Sequence, residues 1–188
     1  MISKCLLSST VLVWASFAWS VDVEPFDEPQ REQVEGFQDY FAQVAPNVYV
    51  AGQPNAEALK AMKERGITRV INIRTSQEMD NRAVVPYDEA AEVAALGLEY
   101  VHIPMGGPDT PYSSEGLAKV AHALESSEGP VLLHCTMAWR ASHLWAAYLV
   151  SNHGYNVANA VEIGKKMNMG GYPFAEFLER SISLEASE

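Results

Sequence analysis

Cys135 and Arg140 stand five positions apart in the run His134-Cys135-Thr136-Met137-Ala138-Trp139-Arg140-Ala141-Ser142. A thiol becomes a nucleophile where positive charge favours its ionised form, and a guanidinium offers two parallel N–H groups to an oxyanion. Val131, Leu132 and Leu133 follow Gly129-Pro130 and predict a buried strand, while the apolar run 141–150 predicts a helix. A short loop between a strand and a helix N-terminus turns backbone amides inward and makes a cradle for an anion. The chemistry this suits is attack by Cys135 on phosphorus, or on sulfur, in an anionic substrate. Thr136, Met137, Ala138 and Trp139 would line the cradle, with Ser142 one step beyond. His134 reads as a buried imidazole that bonds backbone and fixes the loop entrance.

The elements needed to hold this loop appear in order along the chain. Residues 1–20 carry a positive start at Lys4, an apolar run and the small-residue site Ala18-Trp19-Ser20, which together predict a secretory signal peptide rather than a membrane anchor. Residues 21–30 form an acidic leader with two prolines. Phe37, Tyr40 and Phe41 at spacing i, i+3, i+4 predict a helix over 32–44, so that 21–45 is leader plus helix and 46–188 the main domain. Residues 48–50 predict a strand, Gly52-Gln53-Pro54 a turn, and Asn55 the N-cap of a helix buried through Leu59 and Met62 and ended by Gly66. Residues 69–73 predict a strand covered on both faces. Arg74 follows at its C-terminal edge, either as a second positive group near the anion pocket or as a surface ion pair.

Residues 75–86 read as a polar loop bordering the pocket, 87–96 as a helix closed by Gly97, and 98–103 as a strand. Residues 104–111 (PMGGPDTP) then break all periodicity. Asp109 is the one carboxylate there; its residue type suits a turn or a helix N-cap near Ser113-Ser114 as well as proton transfer. Helices are predicted over 114–124, 156–167 and 173–182. Short strands alternating with helices predict an α/β three-layer sandwich with a mainly parallel central sheet.

Composition narrows the partners. Without residues 1–20 the chain keeps 12 basic and 24 acidic residues, a formal charge of −12, which argues against nucleic acid and against an anionic membrane surface. No stable membrane insertion is expected once the signal is removed. Of the two cysteines, Cys5 leaves with the signal, so Cys135 would enter the periplasm or the medium as a lone thiol. An inert buried cysteine is the ordinary alternative. His102, His134, His143, His153 and Cys135 show none of the short zinc spacings, so neither a metal nor another cofactor is expected.

The loop from His134 to Arg140 resembles that of the protein tyrosine phosphatase superfamily. It is most similar to the bacterial family named after beta-lactamase hydrolase-like proteins, whose loop is Cys-x4-Arg. The resemblance extends upstream through VYVAGQPNAEALKAMKERGITRVINIR and covers about residues 46–165. It implies a dual-specificity-phosphatase type of fold and hydrolysis of phosphate monoesters, on a protein or a small molecule, through a cysteinyl-phosphate. Cys135 would be the nucleophile, Arg140 the clamp and Asp109 the general acid. Two positions depart from the family pattern: Ala138 stands where Gly is usual, and Ala141 where Ser or Thr follows the Arg, with Ser142 one position late. Two other functions suit the loop: an anion-binding module without turnover, in which the Trp139 ring partly fills the pocket, and a rhodanese-like sulfurtransferase, which needs no acid at Asp109.

Overall fold

Residues 131–134 carry almost unbroken apolar character because both faces of this strand are covered. The computed structural model describes residues 23–179 and places six strands in one sheet. These are β1 (Gln30–Arg31), β2 (Phe41–Ala45), β3 (Val48–Ala51), β4 (Arg69–Asn72), β5 (Glu99–His102) and β6 (Val131–His134). Their order is β1-β2-β3-β6-β4-β5. β3, β6, β4 and β5 run parallel, and β1 and β2 add an antiparallel edge. The helices are α1 (Ala56–Glu64), α2 (Ser76–Asp80), α3 (Glu89–Ala95), α4 (Ser114–Glu125), α5 (Trp139–Asn152), α6 (Val157–Lys165) and α7 (Phe174–Leu178).

Strand side chains alternate between two cores. Val48, Val50, Ile71, Val131 and Leu133 pack with Leu124, Leu144, Trp145, Ile163 and Phe177 from α4 to α7. Tyr49, Val70 and Leu132 pack with Leu59, Met62 and Val93 from α1 and α3. This is the expected three-layer arrangement, with the sheet between two helical layers. Asn55 caps α1 by accepting from the Ala58 amide, Asp88 caps α3 and Ser113 caps α4. α5 starts at Trp139, ahead of the expected 141, so Trp139 and Arg140 lie in its first turn. Among the described residues no helix is long and apolar enough to cross a membrane.

The helix expected over 32–44 does not form. Gly36 and Asp39 take left-handed conformations, with φ of 87° and 65°, that a right-handed helix cannot continue. Beyond them Pro46 and Asn47 turn the chain so that β2 folds back on β3, pairing Phe41 with Ala51 and Ala42 with Val50. The aromatic spacing that imitated a helix face is resolved by period two: Phe41 enters one core while Ala42 and Val44 enter the other. The sheet therefore takes in residues that the sequence assigned to a leader. Within the loop expected over 75–86, a short helix, α2, is present. The signal peptide at 1–20 and the end of the helix expected over 173–182 lie outside the described residues.

Candidate active site

The parallel register brings four strand ends level, since Ala51 and Asn72 both pair with His134, and His102 pairs with Asn72. Cys135 follows directly on β6, and Gln53 and Arg74 stand two positions beyond the ends of β3 and β4, at the sheet edge where open α/β folds place ligands. Cys135 is a free thiol, 1% exposed. The amides of Thr136 and Met137 donate to no backbone carbonyl among the described residues, and the first turn of α5 supplies further unpaired donors. These donors follow Cys135, in the loop between β6 and α5 and at the start of α5.

Arg140 is held over this loop by a carboxylate that the sequence did not disclose. Its Nη1 donates to Glu78 Oε2 at 2.9 Å and to the Met105 carbonyl at 2.8 Å. Its Nη2 donates to Glu78 Oε1 at 2.6 Å and to Thr136 Oγ1 at 3.1 Å. The Thr136 hydroxyl in turn donates to Glu78 Oε1 at 3.1 Å. Burial alone would raise the Glu78 pKa, but the Arg140 guanidinium and the Thr75 amide and hydroxyl hold it at about 2. The available signal was Thr75-Ser76-Gln77-Glu78, a capping box in which Thr75 accepts from the Glu78 amide while Glu78 accepts from Thr75.

Behind the cysteine lies a second carboxylate, this one fully buried. Glu89 is 2% exposed and accepts from His134 Nε2 at 2.9 Å, Asn72 Nδ2 at 3.0 Å and Gln53 Nε2. Burial pushes its pKa upward, yet the His134 imidazole and the two side-chain amides outweigh burial and hold it at about 2. Gln53 is a bridge, because its Oε1 accepts from Arg74 Nη1 at 2.6 Å. Arg74 is 2% exposed, so it is not a surface residue. Its Nε stands 3.6 Å from Glu78 Oε1. Both carboxylates are depressed in the folded state. The stability they contribute is therefore complete above their ordinary value of 4.5 and is lost as pH falls toward about 2. Urea midpoints measured from neutral to acid pH should fall in that window, and a flat profile there would contradict the buried pairs.

Asp109 occupies a tight turn in which Gly106 N donates to Thr110 O at 2.8 Å and Thr110 N to Gly107 O at 3.2 Å. It is exposed and does not cap α4, a role taken by Ser113. The turn lies against the α2 cap, for a Cβ on Gly107 would stand 3.2 Å from Thr75 Cγ2. Asp109 is thus carried on a loop that touches the arm bearing Glu78. Among the described residues no group of three or more His, Cys, Asp or Glu side chains is arranged to hold a metal.

The model of the family described as "Beta-lactamase hydrolase-like protein, phosphatase-like domain" matches residues 40–151. The chain belongs to this family. A beta-lactamase hydrolase-like protein of Xylella fastidiosa is 32% identical over 99 residues, 52% of this chain and 22% of that protein. This chain thus spans only about a fifth of the length of the curated relatives it matches. Among solved structures, a phosphatase-like protein of Shewanella putrefaciens CN-32 is 26% identical, with TM-score 0.59, over 77% of this chain and 92% of that one. P. aeruginosa TpbA shares the fold at 19% identity and TM-score 0.55, over 78% of each chain.

Ala138 stands where the resemblance of the loop implies Gly. It has φ 60° and ψ −8°, the left-handed conformation that Gly adopts freely. That conformation costs about 1–2 kcal/mol in a residue with a Cβ, and the buried methyl returns about 0.8 kcal/mol. Ala138→Gly should therefore stabilise the protein slightly, by about 0.2–1.2 kcal/mol in urea denaturation; a loss of stability would show that the methyl outweighs the strain. Ser142 does not face the thiol with its proton, since its Oγ donates to the Ala138 carbonyl at 2.8 Å and braces this same turn. The Trp139 ring rests edge-on against His143 at 5.0 Å and beside Gly170. Met137 is 43% exposed at the rim, its carbonyl accepting from Asn168 Nδ2 at 2.7 Å.

Proposed function

We propose that this protein is an exported, cysteine-dependent phosphatase that hydrolyses phosphate monoesters through a cysteinyl-phosphate. The observation that carries the reading is the Cys135-to-Arg140 cradle at the C-terminal sheet edge, in a chain of the phosphatase-like family. Cys135 Sγ attacks phosphorus as a thiolate, the bond from phosphorus to the ester oxygen breaks, and the Asp109 carboxyl gives its proton to that oxygen. Loop amides and Arg140 carry the charge on the equatorial oxygens. A water then attacks phosphorus, the Asp109 carboxylate takes its proton, and the thiolate departs as phosphate is released. Thr136, Met137, Ala138 and Trp139 form the wall of the cradle, and His134 fixes its entrance from below.

The related fold of TpbA has been solved with phosphotyrosine, so an aryl phosphate is the first substrate to test. Turnover of an aryl phosphate beside thiosulfate-to-cyanide transfer separates the phosphatase from a sulfurtransferase, and binding of phosphate without either turnover would identify a pure anion-binding module. Asp109→Asn should slow an ester with a poor leaving group at least about tenfold more than one with a good leaving group. Equal losses would assign Asp109 to the turn alone. Export is tested on the N-terminus of the protein recovered outside the cytoplasm: a start near Val21 supports it, and an intact Met1 in all of the protein opposes it.

A further inference from the structure

A phosphoryl group gripped by Arg140 needs two adjacent donors on one edge of the guanidinium. Yet all four Nη hydrogens are engaged by Glu78, Met105 and Thr136, which leaves Nε alone. A two-point grip therefore requires one acceptor to withdraw. The Met105 acceptor is main chain and the Thr136 hydroxyl is neutral. Glu78 is the acceptor with a charge, and its carboxylate would face the incoming phosphoryl across the same cation. Its side chain is 32% exposed, on a helix of five residues, so it can turn.

Where it would turn is marked by a second observation. Arg74 Nε is a buried donor without a hydrogen-bond partner, on a side chain 2% exposed. Burying such a donor unpaired costs about 1–3 kcal/mol, or more for a charged group. Gln53 Oε1 fixes the other end of this guanidinium at 2.6 Å. The unpartnered Nε lies 3.6 Å from Glu78 Oε1, just outside hydrogen-bonding range. Glu78 Oε2 meanwhile accepts from the Thr75 amide at 2.9 Å and hydroxyl at 3.0 Å and from Arg140 Nη1 at 2.9 Å, which makes it a fixed pivot and confines the movement to Oε1, the acceptor on Nη2.

We propose that Glu78 is a latch on the anion cradle: at rest its Oε1 occupies Arg140 Nη2, and when a phosphoryl anion takes Nε and Nη2 of that guanidinium, Oε1 swings about Oε2 onto Arg74 Nε. Arg74 is then a positioning residue that never touches the substrate and acts by receiving the displaced carboxylate. The latch also selects by charge. A dianionic monoester competes well with a carboxylate for Arg140, whereas a monoanionic diester or sulfate ester competes poorly, because two states shift only by a ligand's differential affinity. The inference rests on the anion-cradle reading of the proposed phosphatase site.

The test is the affinity for inorganic phosphate, by titration calorimetry, of the full chain and of Arg74→Gln, Glu78→Gln and the double variant, each checked for its melting transition. Arg74→Gln should weaken phosphate about tenfold when Glu78 is present and by less than about twofold when Glu78 is already Gln, because there is then no charge to receive. Arg74→Lys, which keeps the charge, should recover most of the loss. An equal loss in both backgrounds would mean that Arg74 contacts the anion directly, and unchanged affinity in folded Arg74→Gln would reduce it to a structural residue; either result overturns the latch while leaving the phosphatase reading in place. Absence of phosphate binding in the unaltered chain would overturn both.

Discussion

Cys135→Ser is expected to lower turnover of an aryl phosphate at least about a thousandfold while the affinity for inorganic phosphate changes by less than about threefold. The donors that recognise the anion are the loop amides and Arg140, none of which the substitution removes. What is lost is the nucleophile, because a serine hydroxyl has no adjacent base here: His134, the neighbouring imidazole, directs Nε2 to Glu89 and has its Nδ1 3.4 Å from the Cys135 carbonyl. Arg140→Ala should behave differently and damage binding and turnover together, since its guanidinium touches ground state and transition state alike. Retention of full turnover by Cys135→Ser would remove the cysteine from the chemistry altogether.

Glu89→Ala is expected to cost about 3–5 kcal/mol in unfolding free energy, the largest loss of stability that a single side chain near the site should cause. His134 Nε2, Asn72 Nδ2, Gln53 Nε2 and, at 3.3 Å, the Tyr87 hydroxyl converge on this carboxylate in a region closed to water. Removing it strands His134 Nε2, whose acceptor it is, and leaves Asn72 Nδ2 with Tyr100 Oη and Gln53 Nε2 with the Pro54 carbonyl in place of a charged partner. Glu89→Gln keeps the volume and one acceptor oxygen but turns a second acceptor into a donor facing other donors, so it should lose less, about 2 kcal/mol. Denaturant unfolding decides the matter, and a loss below about 1 kcal/mol for Glu89→Ala would mean that the pocket admits water.

Local patterns carried the strand at 131–134, the cysteine loop, α5 and the Asn55 cap, because each depends on neighbours within a few residues. The sheet edge at 41–45 was not legible in that way: its pairing with β3 satisfies an aromatic spacing that also fits a helix, and the breaks at Gly36 and Asp39 with the turn at Pro46-Asn47 distinguish the two. Glu78 and Glu89 were missed for a deeper reason. A glutamate in a polar or Ala-rich stretch reads as solvated surface. Their places are decided by Arg140 and His134, which lie 62 and 45 positions further along the chain. Gln53, Asn72 and Arg74 stood inside the family-like segment, but their shared dependence on Glu89 and Glu78 exists only once the strand ends are brought level.

The central claim, that chemistry passes through Cys135, is tested most directly by stopping turnover of an aryl phosphate in acid within a single catalytic cycle and mapping the protein by mass spectrometry. The account predicts one phosphoryl group on the peptide containing Cys135, absent from Cys135→Ser and more abundant in Asp109→Asn if water attack is slowed more than formation. Release of phosphate at the full rate with no phosphoryl group on Cys135, or with that group on another residue, would contradict it.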